Sequence, residues 1–268
     1  MFEITTPILM LGAGRLGGAL IEGWGKAGAA SASDLILRDP FPGPAAQAAA
    51  AAGAKLNPPD AELAQAKTVL LAVKPQLWRD VAAEVSARLA PDAVIVSVAA
   101  GVKATDISDA FGGRAVARVM PTTAVSIRQG VASVYAADPE ARARARALFA
   151  PVGVVVDVDD EDLMHAATGV SGSAPAYLYA FIEALEAAGA AAGLAPDAAT
   201  KLARATITGA AALLATSDED PAELRRQVTS PGGTTQAALD VLMGEAGFGP
   251  LLEQAVAAAV RRSKELGA

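Results

Sequence analysis

The chain has 268 residues, of which 53% are hydrophobic and 4% aromatic, and its formal net charge at pH 7 is −7. These values predict a globular protein with one large or two ordinary domains. The negative charge, with no basic run, argues against a nucleic-acid or anionic-membrane partner, and the absence of cysteine excludes disulfides and thiolate metal sites.

No apolar run reaches the roughly 18 residues that a membrane-spanning helix needs, since charges such as Glu183, Glu186 and Lys201 interrupt the longest candidates. The first residues also lack the basic segment of a signal peptide, so we expect a cytoplasmic protein. Alanine is abundant and aromatics are few, which predicts closely packed helices with flat faces and favours a homo-oligomer.

The first predicted elements are a strand, a glycine turn and a helix. Ile8 to Leu11 is a short apolar run, glycines follow at positions 12, 14 and 17, and a helical pattern opens at Gly18. This order and spacing are typical of a dinucleotide-binding turn. Cofactor contacts are therefore assigned to the turn and its flanks, namely Leu11, Gly12, Ala13, Gly14, Arg15 and Leu16.

The next predicted strand, Leu35 to Leu37, ends at Arg38 and Asp39. Residues at this place contact the adenosine ribose, where an acidic side chain suits the 2′-hydroxyl of NAD and an arginine suits the 2′-phosphate of NADP. The sequence offers both, so the preference stays open, with NADPH as the expected cofactor and NADH possible.

Strands and helices alternate as far as residue 120, which predicts a doubly wound α/β sheet of the Rossmann type. Strands are predicted at 68–73, 93–98 and 114–120, and helices at 45–52, 60–63 and 77–89. Because the carboxyl ends of parallel strands line the ligand crevice, further cofactor contacts are expected there: Ala72, Val73, Lys74, Pro75, Ala99, Ala100 and Met120. An added edge is predicted at 131–135 and 152–156, with a helix at 139–150 whose Arg142, Arg144 and Arg146 form a solvated face.

The predicted strands stop after Asp157 to Asp162, an acidic stretch interpreted as a linker, with paired catalytic carboxylates as the alternative. Helical periodicity and alanine content predict helices at 163–194, 197–216, 222–228 and 235–266, the first interrupted by glycine and serine at 169–175. The expected domains are a dinucleotide-binding domain at 1–160 and an all-α domain at 161–268.

The stretch from Ser230 to Thr235, with the sequence SPGGTT, breaks the helical pattern. Pro231 has no backbone donor, and Gly232 and Gly233 permit positive φ. With Thr234 or Thr235 as the cap of the next helix, amides and hydroxyls would form a small anion cradle that suits a carboxylate. A kinked helix pair without a ligand is the alternative.

A nucleotide-binding domain followed by a helical domain predicts hydride transfer. Reduction of a ketone requires a positioned acid, yet no lysine lies between Lys103 and Lys201, and the single histidine, His165, is expected to be structural. An iminium already carries its proton, so for a C=N substrate hydroxyl donors and correct placement suffice.

The glycine turn, the stretches Ala72 to Pro75 and Met120-Pro121, and above all Gly169 to Tyr177 and Ser230 to Thr235 resemble the Δ1-pyrroline-5-carboxylate reductase family. The resemblance covers essentially the whole chain. It implies NAD(P)H-dependent reduction of pyrroline-5-carboxylate to L-proline, the last step of proline biosynthesis. It also implies a Rossmann domain joined to an all-α dimerisation domain, a small imino-acid substrate, and a homodimer or ring of dimers.

The resemblance further implies roles for individual residues. Ser230, Gly233 and Thr234 would hold the substrate carboxylate, with Gly232 in the same turn, and Thr235 would place its hydroxyl near the ring nitrogen. Ser230 and Thr235 are therefore the expected catalytic residues, and no metal is expected. Ser171, Gly172 and Ser173 would border the nicotinamide. Of these, Ser171 and Gly172 are expected to contact the substrate, and Ser173 the cofactor.

Arg15, Thr122 and Ala124 depart from the family pattern, which usually has asparagine, asparagine and proline at these places. Arg15 would change the contacts near the pyrophosphate. Thr122 and Ala124 would replace an amide near the nicotinamide and loosen a rigid turn, which could reduce activity or broaden the range of substrates. Two alternatives stay open: a reductase of related cyclic imines, including six-membered ones, and a dinucleotide-sensing protein without turnover.

Overall fold

Within residues 3–267, which a computed structural model describes, eight strands form one sheet. The strands are β1 (Ile8–Leu11), β2 (Leu35–Arg38), β3 (Lys55–Leu56), β4 (Thr68–Leu71), β5 (Val94–Ser97), β6 (Val116–Pro121), β7 (Gly130–Tyr135) and β8 (Gly153–Asp157). Their order is β3-β2-β1-β4-β5-β6-β7-β8, and only the pair β6 with β7 is antiparallel. The first six strands have the order of a doubly wound dinucleotide-binding sheet, and β7 and β8 form the predicted added edge.

Eleven α-helices lie in the same part of the chain. They are α1 (Arg15–Ala27), α2 (Pro44–Ala51), α3 (Trp78–Val85), α4 (Ala104–Ala110), α5 (Pro139–Phe149), α6 (Leu163–Ala167), α7 (Ala174–Ala191), α8 (Pro196–Thr216), α9 (Pro221–Gln227), α10 (Thr234–Leu242) and α11 (Phe248–Leu266). The predicted class, an α/β doubly wound sheet followed by helices alone, is confirmed.

Both faces of the sheet are covered, because consecutive side chains of a strand point to opposite faces and here both sets are apolar. In β1, Ile8 and Met10 join one core with α1, α2 and α5. Leu9 and Leu11 join a second core with α3 and α4. All four residues of β1 are buried, which explains why the strand is a continuous apolar run. This packing fixes the end of β1, where the glycine turn begins.

Three helical predictions differ from the structure. Helix α4 was not predicted, because Ile107 is its one buried side chain and its pattern is short and polar. The interruption expected at 169–175 is present but is not an open break: α6 ends at Ala167, Thr168–Gly172 forms a π-helical turn, and α7 begins at Ala174. The helix expected at 235–266 is divided after Leu242; a Cβ at Gly247 would lie 2.2 Å from the carbonyl oxygen of Leu242, so only glycine fits this bend.

The arginines of α5 are not a solvated face, which corrects the prediction. Arg144 donates to the carbonyl of Lys67 at 2.9 Å and to the hydroxyl of Thr68 at 3.1 Å. Arg142 donates to the carbonyl of Ala136. Arg146 forms an ion pair and hydrogen bond with Asp157, a residue of β8 and not of a linker. These arginine side chains therefore link α5 to β8, to the start of β4 and to the residue that follows β7.

Contacts divide the described residues into two compact units. The first ends at Gly172 and also contains the chain from Ala258 onward, and the second is Ser173–Ala257. In the second unit α7 packs on α8, where a Cβ at Gly189 would lie 3.2 Å from the Cβ of Ala199. The domain boundary expected at residue 160 stays a prediction.

Candidate functional site

The turn between β1 and α1 uses its three glycines in three different ways. Gly12 has a φ of +91°, and a Cβ there would lie 2.8 Å from the carbonyl oxygen of Ala72. Gly14 is the N-cap of α1, with open space in place of a Cβ and no side-chain cap. A Cβ at Gly17 would lie 2.5 Å from the carbonyl oxygen of Gly12. The turn therefore bends tightly at Gly12, leaves the first amides of α1 accessible at Gly14, and lets the helix pack closely on the strand at Gly17. These three features fit a turn that binds the pyrophosphate of a dinucleotide.

The residues flanking this turn divide by exposure. Leu11 and Ala13 are buried, Leu16 is half-buried, and Arg15 is exposed at the start of α1. Arg15 forms no ion pair with any residue that the structure describes. Its guanidinium is therefore available to an anion at the helix start, where asparagine is usual in the family.

The ends of the neighbouring strands meet along one edge of the sheet. The amide of Ala72 donates to the carbonyl of Leu11 at 2.8 Å, and Leu71 stands in register with Ser97, which stands in register with Arg118. The structure therefore aligns the glycine turn with the other strand-end residues expected to contact cofactor: Ala72, Val73, Lys74, Pro75, Ala99, Ala100 and Met120. Of these, Lys74 is exposed and Ala99 is buried.

Asp39 lies at the carboxyl end of β2 with both carboxylate oxygens engaged. Oδ2 accepts from the amide of Ala13 at 2.6 Å, and Oδ1 accepts from the amide of Phe41 at 2.7 Å. Asn57, whose φ is +48°, binds the amide and the carbonyl of Asp39 through its side chain at 2.9 and 2.8 Å. Asp39 therefore braces the glycine turn, a function that its sequence position did not reveal.

Arg38 has its guanidinium between two carboxylates. Nη2 lies 2.8 Å from Glu84 and 3.1 Å from Asp60, and Nη1 donates to the carbonyl of Pro58 at 3.2 Å. Asp60 also pairs with Arg88 at 2.7 Å. The pKa of Arg38 is raised, first by its hydrogen bond with Glu84. The side chain expected to meet a 2′-phosphate is thus already paired within the protein.

The π-helical turn Thr168–Gly172 packs beside the end of β6. A Cβ at Gly172 would lie 3.0 Å from the sulfur of Met120, so glycine lets the turn approach that strand end. The hydroxyl of Ser171 donates back to the carbonyl of Ala167 at 2.8 Å. The structure thus places Ser171 and Gly172 next to one predicted cofactor contact, while Ser173, half-buried, leads into α7.

A buried ion pair behind this turn was missed by the sequence interpretation. Arg118 of β6 is 5% exposed and its Nη1 lies 2.7 Å from Oε1 of Glu161. The same oxygen accepts from the amide of Ala104, at the start of α4, at 2.6 Å. A charged residue inside the apolar stretch from Val116 to Val119 was the available signal, because a buried charge requires a partner.

His165 is buried in α6, and its Nδ1 lies 2.9 Å from the hydroxyl of Ser263 in α11. The pKa of His165 is lowered, chiefly by burial and then by the positive charges of Arg118 and Lys264. A neutral imidazole that joins two helices has a structural role, which agrees with the expectation from the sequence.

The SPGGTT stretch forms a turn followed by α10. The amide of Gly233 donates to the carbonyl of Ser230 at 3.0 Å, with Gly232 at a φ of +69°. Gly233 is the N-cap and no side chain caps the helix, so the expectation that Thr234 or Thr235 is the cap was wrong. Instead both threonines occupy the first helical turn.

The hydroxyls of this turn are open to a ligand. Ser230, Thr234 and Thr235 are exposed, and none of their hydroxyls bonds to a residue that the structure describes. Free hydroxyls beside the uncapped amides of α10 are the groups that bind a carboxylate at a helix start. The neighbouring Thr229 differs, since its hydroxyl donates to the carbonyl of Arg225 at 2.7 Å.

Residues 3–267 contain neither a candidate metal site nor a candidate membrane-spanning helix. They contain no group of three or more His, Asp or Glu side chains able to hold a metal ion. None of the helices formed by these residues has both the length and the apolar character needed to cross a bilayer.

Comparison with known proteins covers both units. A family model described as pyrroline-5-carboxylate reductase dimerisation matches residues 161–266. Another, described as NADP oxidoreductase coenzyme F420-dependent, matches residues 7–101. The pyrroline-5-carboxylate reductase of Pseudomonas aeruginosa is 38% identical over 269 residues, which is 98% of this chain and 98% of the relative. That of Pisum sativum is 36% identical and spans 96% of this chain and 94% of its own.

Solved structures agree with these sequence relatives. A pyrroline-5-carboxylate reductase from Coxiella burnetii superimposes with a TM-score of 0.89 at 29% identity, over 98% of this chain and 99% of that one. Pyrroline carboxylate reductase of Plasmodium falciparum, with NADP bound, superimposes with a TM-score of 0.83 at 25% identity over 100% of both. With relatives above 30% identity along nearly its full length, the chain belongs to the pyrroline-5-carboxylate reductase family.

Proposed function

We propose that this protein reduces Δ1-pyrroline-5-carboxylate to L-proline with a reduced nicotinamide dinucleotide, the last step of proline biosynthesis. The observation that carries the proposal is the turn before α10, where free hydroxyls flank uncapped amides in a chain of this family. A sensor of dinucleotides has no use for such a carboxylate cradle. The glycine turn after β1 fits the cofactor that the reaction needs.

The chemistry requires little proton transfer from the protein. When bound, a reduced nicotinamide supplies a hydride to the carbon of the C=N bond. A protonated imine that accepts this hydride becomes a secondary amine, and its nitrogen keeps the proton it already carries. The residues then need only to hold the ring and exclude wrong orientations, which is the contribution that proximity makes to a rate.

The roles proposed for the turn residues are those that the family resemblance implies, and the exposure of their hydroxyls supports them. Ser230 and the amides of Gly233 and Thr234 bind the substrate carboxylate, with Gly232 shaping the turn. Thr235 donates its hydroxyl to orient the ring nitrogen. A hydroxyl with the high pKa of an alcohol acts here as a hydrogen-bond donor and not as an acid.

Residues around the π-helical turn and the strand ends complete the assignment. Ser171 and Gly172 are proposed to border the reacting ring, and Ser173 the nicotinamide. The cofactor is proposed to contact the glycine turn and the strand ends named above. Thr122 stands where the family usually has asparagine, so the side-chain amide is replaced by a hydroxyl. This hydroxyl accepts from the backbone amide of Val131 at 3.1 Å, which fixes the loop after β6.

The assembly and cellular location belong to the same proposal. The family model names a dimerisation region at 161–266, and we propose a homodimer as the basic unit, with a ring of dimers as the larger form. Analytical ultracentrifugation decides between the two. The cytoplasmic location expected from the sequence stays a prediction, and cell fractionation tests it.

The test is an absorbance assay of purified protein with pyrroline-5-carboxylate and each reduced nicotinamide in turn. Oxidation of the nicotinamide with formation of L-proline is expected. Tight dinucleotide binding without any imine-dependent oxidation would contradict the proposal and favour a sensing role. Faster reduction of the six-membered cyclic imine carboxylate than of the five-membered one would assign the protein to the related substrate class.

A further inference from the structure

We infer that this enzyme discriminates against the 2′-phosphate and prefers NADH to NADPH, with Asp39 and Glu84 as the residues that set the preference. The inference rests on the proposed function in that the crevice holds a nicotinamide dinucleotide. The sequence, with both Arg38 and Asp39 at this place, left the preference between NADPH and NADH open. Four observations at the carboxyl end of β2 carry it.

The first observation is that the carboxylate of Asp39 cannot turn away from the ribose position. It is 9% exposed and accepts backbone amides on both oxygens, from Ala13 at 2.6 Å and from Phe41 at 2.7 Å. A carboxylate has about four lone-pair sites, so two acceptor positions stay open for ribose hydroxyls. The group is thus fixed in place and able to accept from a 2′-hydroxyl.

The second observation is that the backbone around Asp39 is also fixed. Asn57 binds its amide and its carbonyl, at 2.9 and 2.8 Å. The amide of Asn57 itself donates to the carbonyl of Leu37 at 2.8 Å. Because both the amide and the carbonyl of Asp39 are hydrogen-bonded, its carboxylate cannot move aside for a phosphate unless these hydrogen bonds break.

The third observation concerns Arg38, the cation that would otherwise attract a phosphate. Its guanidinium contacts Glu84 at 2.8 Å and Asp60 at 3.1 Å. A phosphate that approached Arg38 would have to displace these carboxylates or lie beside them. Like charges within a few ångströms repel, and the repulsion is larger in a partly desolvated cleft.

The fourth observation is the balance of charge in this cluster. Arg38 and Arg88 are matched by Asp60 and Glu84, since Arg88 pairs with Asp60 at 2.7 Å. Asp39 adds one negative charge that no described arginine or lysine pairs with. The site therefore presents a net negative charge to the 2′-position, which suits a neutral hydroxyl and opposes a dianion.

The test measures the dissociation constants of NADH and NADPH for the full-length protein by calorimetry, without substrate. NADH is expected to bind about tenfold or more tightly than NADPH. Equal affinities, or tighter NADPH, would overturn the inference. Because binding is measured apart from turnover, a clear NADH preference with no imine reduction would instead contradict the proposed function alone.

Two variants test the assigned residues. Glu84→Gln removes one of the two charges that occupy Arg38, and Asp39→Asn removes the surplus charge while keeping one acceptor oxygen. Each is expected to weaken the preference for NADH, so that the dissociation constant of NADPH divided by that of NADH falls by about threefold or more. The ratio stays informative even where a variant loosens the turn and weakens both nucleotides.

The matched control is Glu62→Gln. Glu62 lies in the same short segment as Asp60, but its carboxylate pairs with Lys55 at 2.6 Å and not with Arg38. Its substitution should leave the ratio unchanged. A wild-type ratio in both Glu84→Gln and Asp39→Asn, or an equal change in the control, would show that these carboxylates do not set the preference.

Discussion

Thr235 is the residue that we propose to orient the ring nitrogen of the substrate. It is the second residue of α10, exposed, with its hydroxyl unbonded within the described chain. Thr235→Val keeps the shape and removes the donor. The rate with the imine is expected to fall about 10- to 100-fold, as the loss of one hydrogen bond to a charged group predicts, while the NAD(P)H dissociation constant stays unchanged.

Thr229→Val is the control for this substitution, because it deletes a hydroxyl of the same turn that already bonds to the carbonyl of Arg225. Steady-state kinetics with pyrroline-5-carboxylate should show a near-normal rate for it. Loss of dinucleotide binding in Thr235→Val, or an equal loss of rate in the control, would remove the assigned role of Thr235.

Residue-level predictions succeeded where the cause is local. The glycines at 12 and 17 were assigned from their spacing alone, and the structure leaves no room for a side chain at either, since a Cβ would lie 2.8 or 2.5 Å from a carbonyl oxygen. The capping prediction failed, since Gly233 ends the turn one residue before the threonines. The partner of Arg38 could not be predicted, because Glu84 is 46 positions away and meets it only after the sheet has formed.

At the scale of elements, Glu161 connects three segments that border the cofactor crevice. Its Oε1 binds Arg118 of β6 and the first amide of α4, and Glu161 itself precedes α6 and the π-helical turn. The pair is largely buried, so neither charge is well hydrated. Through this one carboxylate oxygen, Glu161 links β6 and the start of α4 to the residues just before α6.

Glu161→Ala should therefore destabilise the protein strongly, because Arg118 would be left buried without its partner. We expect a loss of about 3 kcal/mol in the free energy of unfolding, measured by urea denaturation at one fixed protein concentration. Glu140→Ala is the control, since Glu140 pairs with Arg144 on the surface of α5 and is 59% exposed. It should cost less than about 1 kcal/mol. Similar losses in the two variants would show that the buried pair is unimportant.

Elements were predicted well where a strand is a continuous apolar run and less well where glycines divide a helical stretch. The buried runs of β1, β4 and β5 were placed within two residues, because strands covered on both faces are continuously apolar. The glycines and serines at 169–175 correctly predicted that the α-helix is interrupted, but not that a π-helical turn would fill most of the gap and place Gly172 against Met120. That contact depends on β6 and is absent from local sequence.

At the scale of the whole molecule, the helical unit Ser173–Ala257 buries few of its side chains. Among its described side chains only Ala199 and Ala203 are nearly fully buried, at 4% and 5% exposure. Large apolar side chains face outward along its helices instead, including Tyr179, Leu202, Leu213, Leu214, Val241, Leu251 and Leu252. Exposed apolar area of this extent marks a protein interface, in agreement with the family's dimerisation region.

Leu213→Asp should consequently weaken self-association. Leu213 is 58% exposed on α8, and a carboxylate buried at an interface without a partner is costly. The dissociation constant of the assembly, measured by sedimentation over a range of concentrations, is expected to rise about tenfold or more, with a melting temperature that falls on dilution. Ile127→Asp introduces the same charge at a 60% exposed residue of the first unit and should leave the assembly intact. If both variants sediment as the wild type does, the outward face of α8 is not the interface, and the helical unit must gain its stability elsewhere.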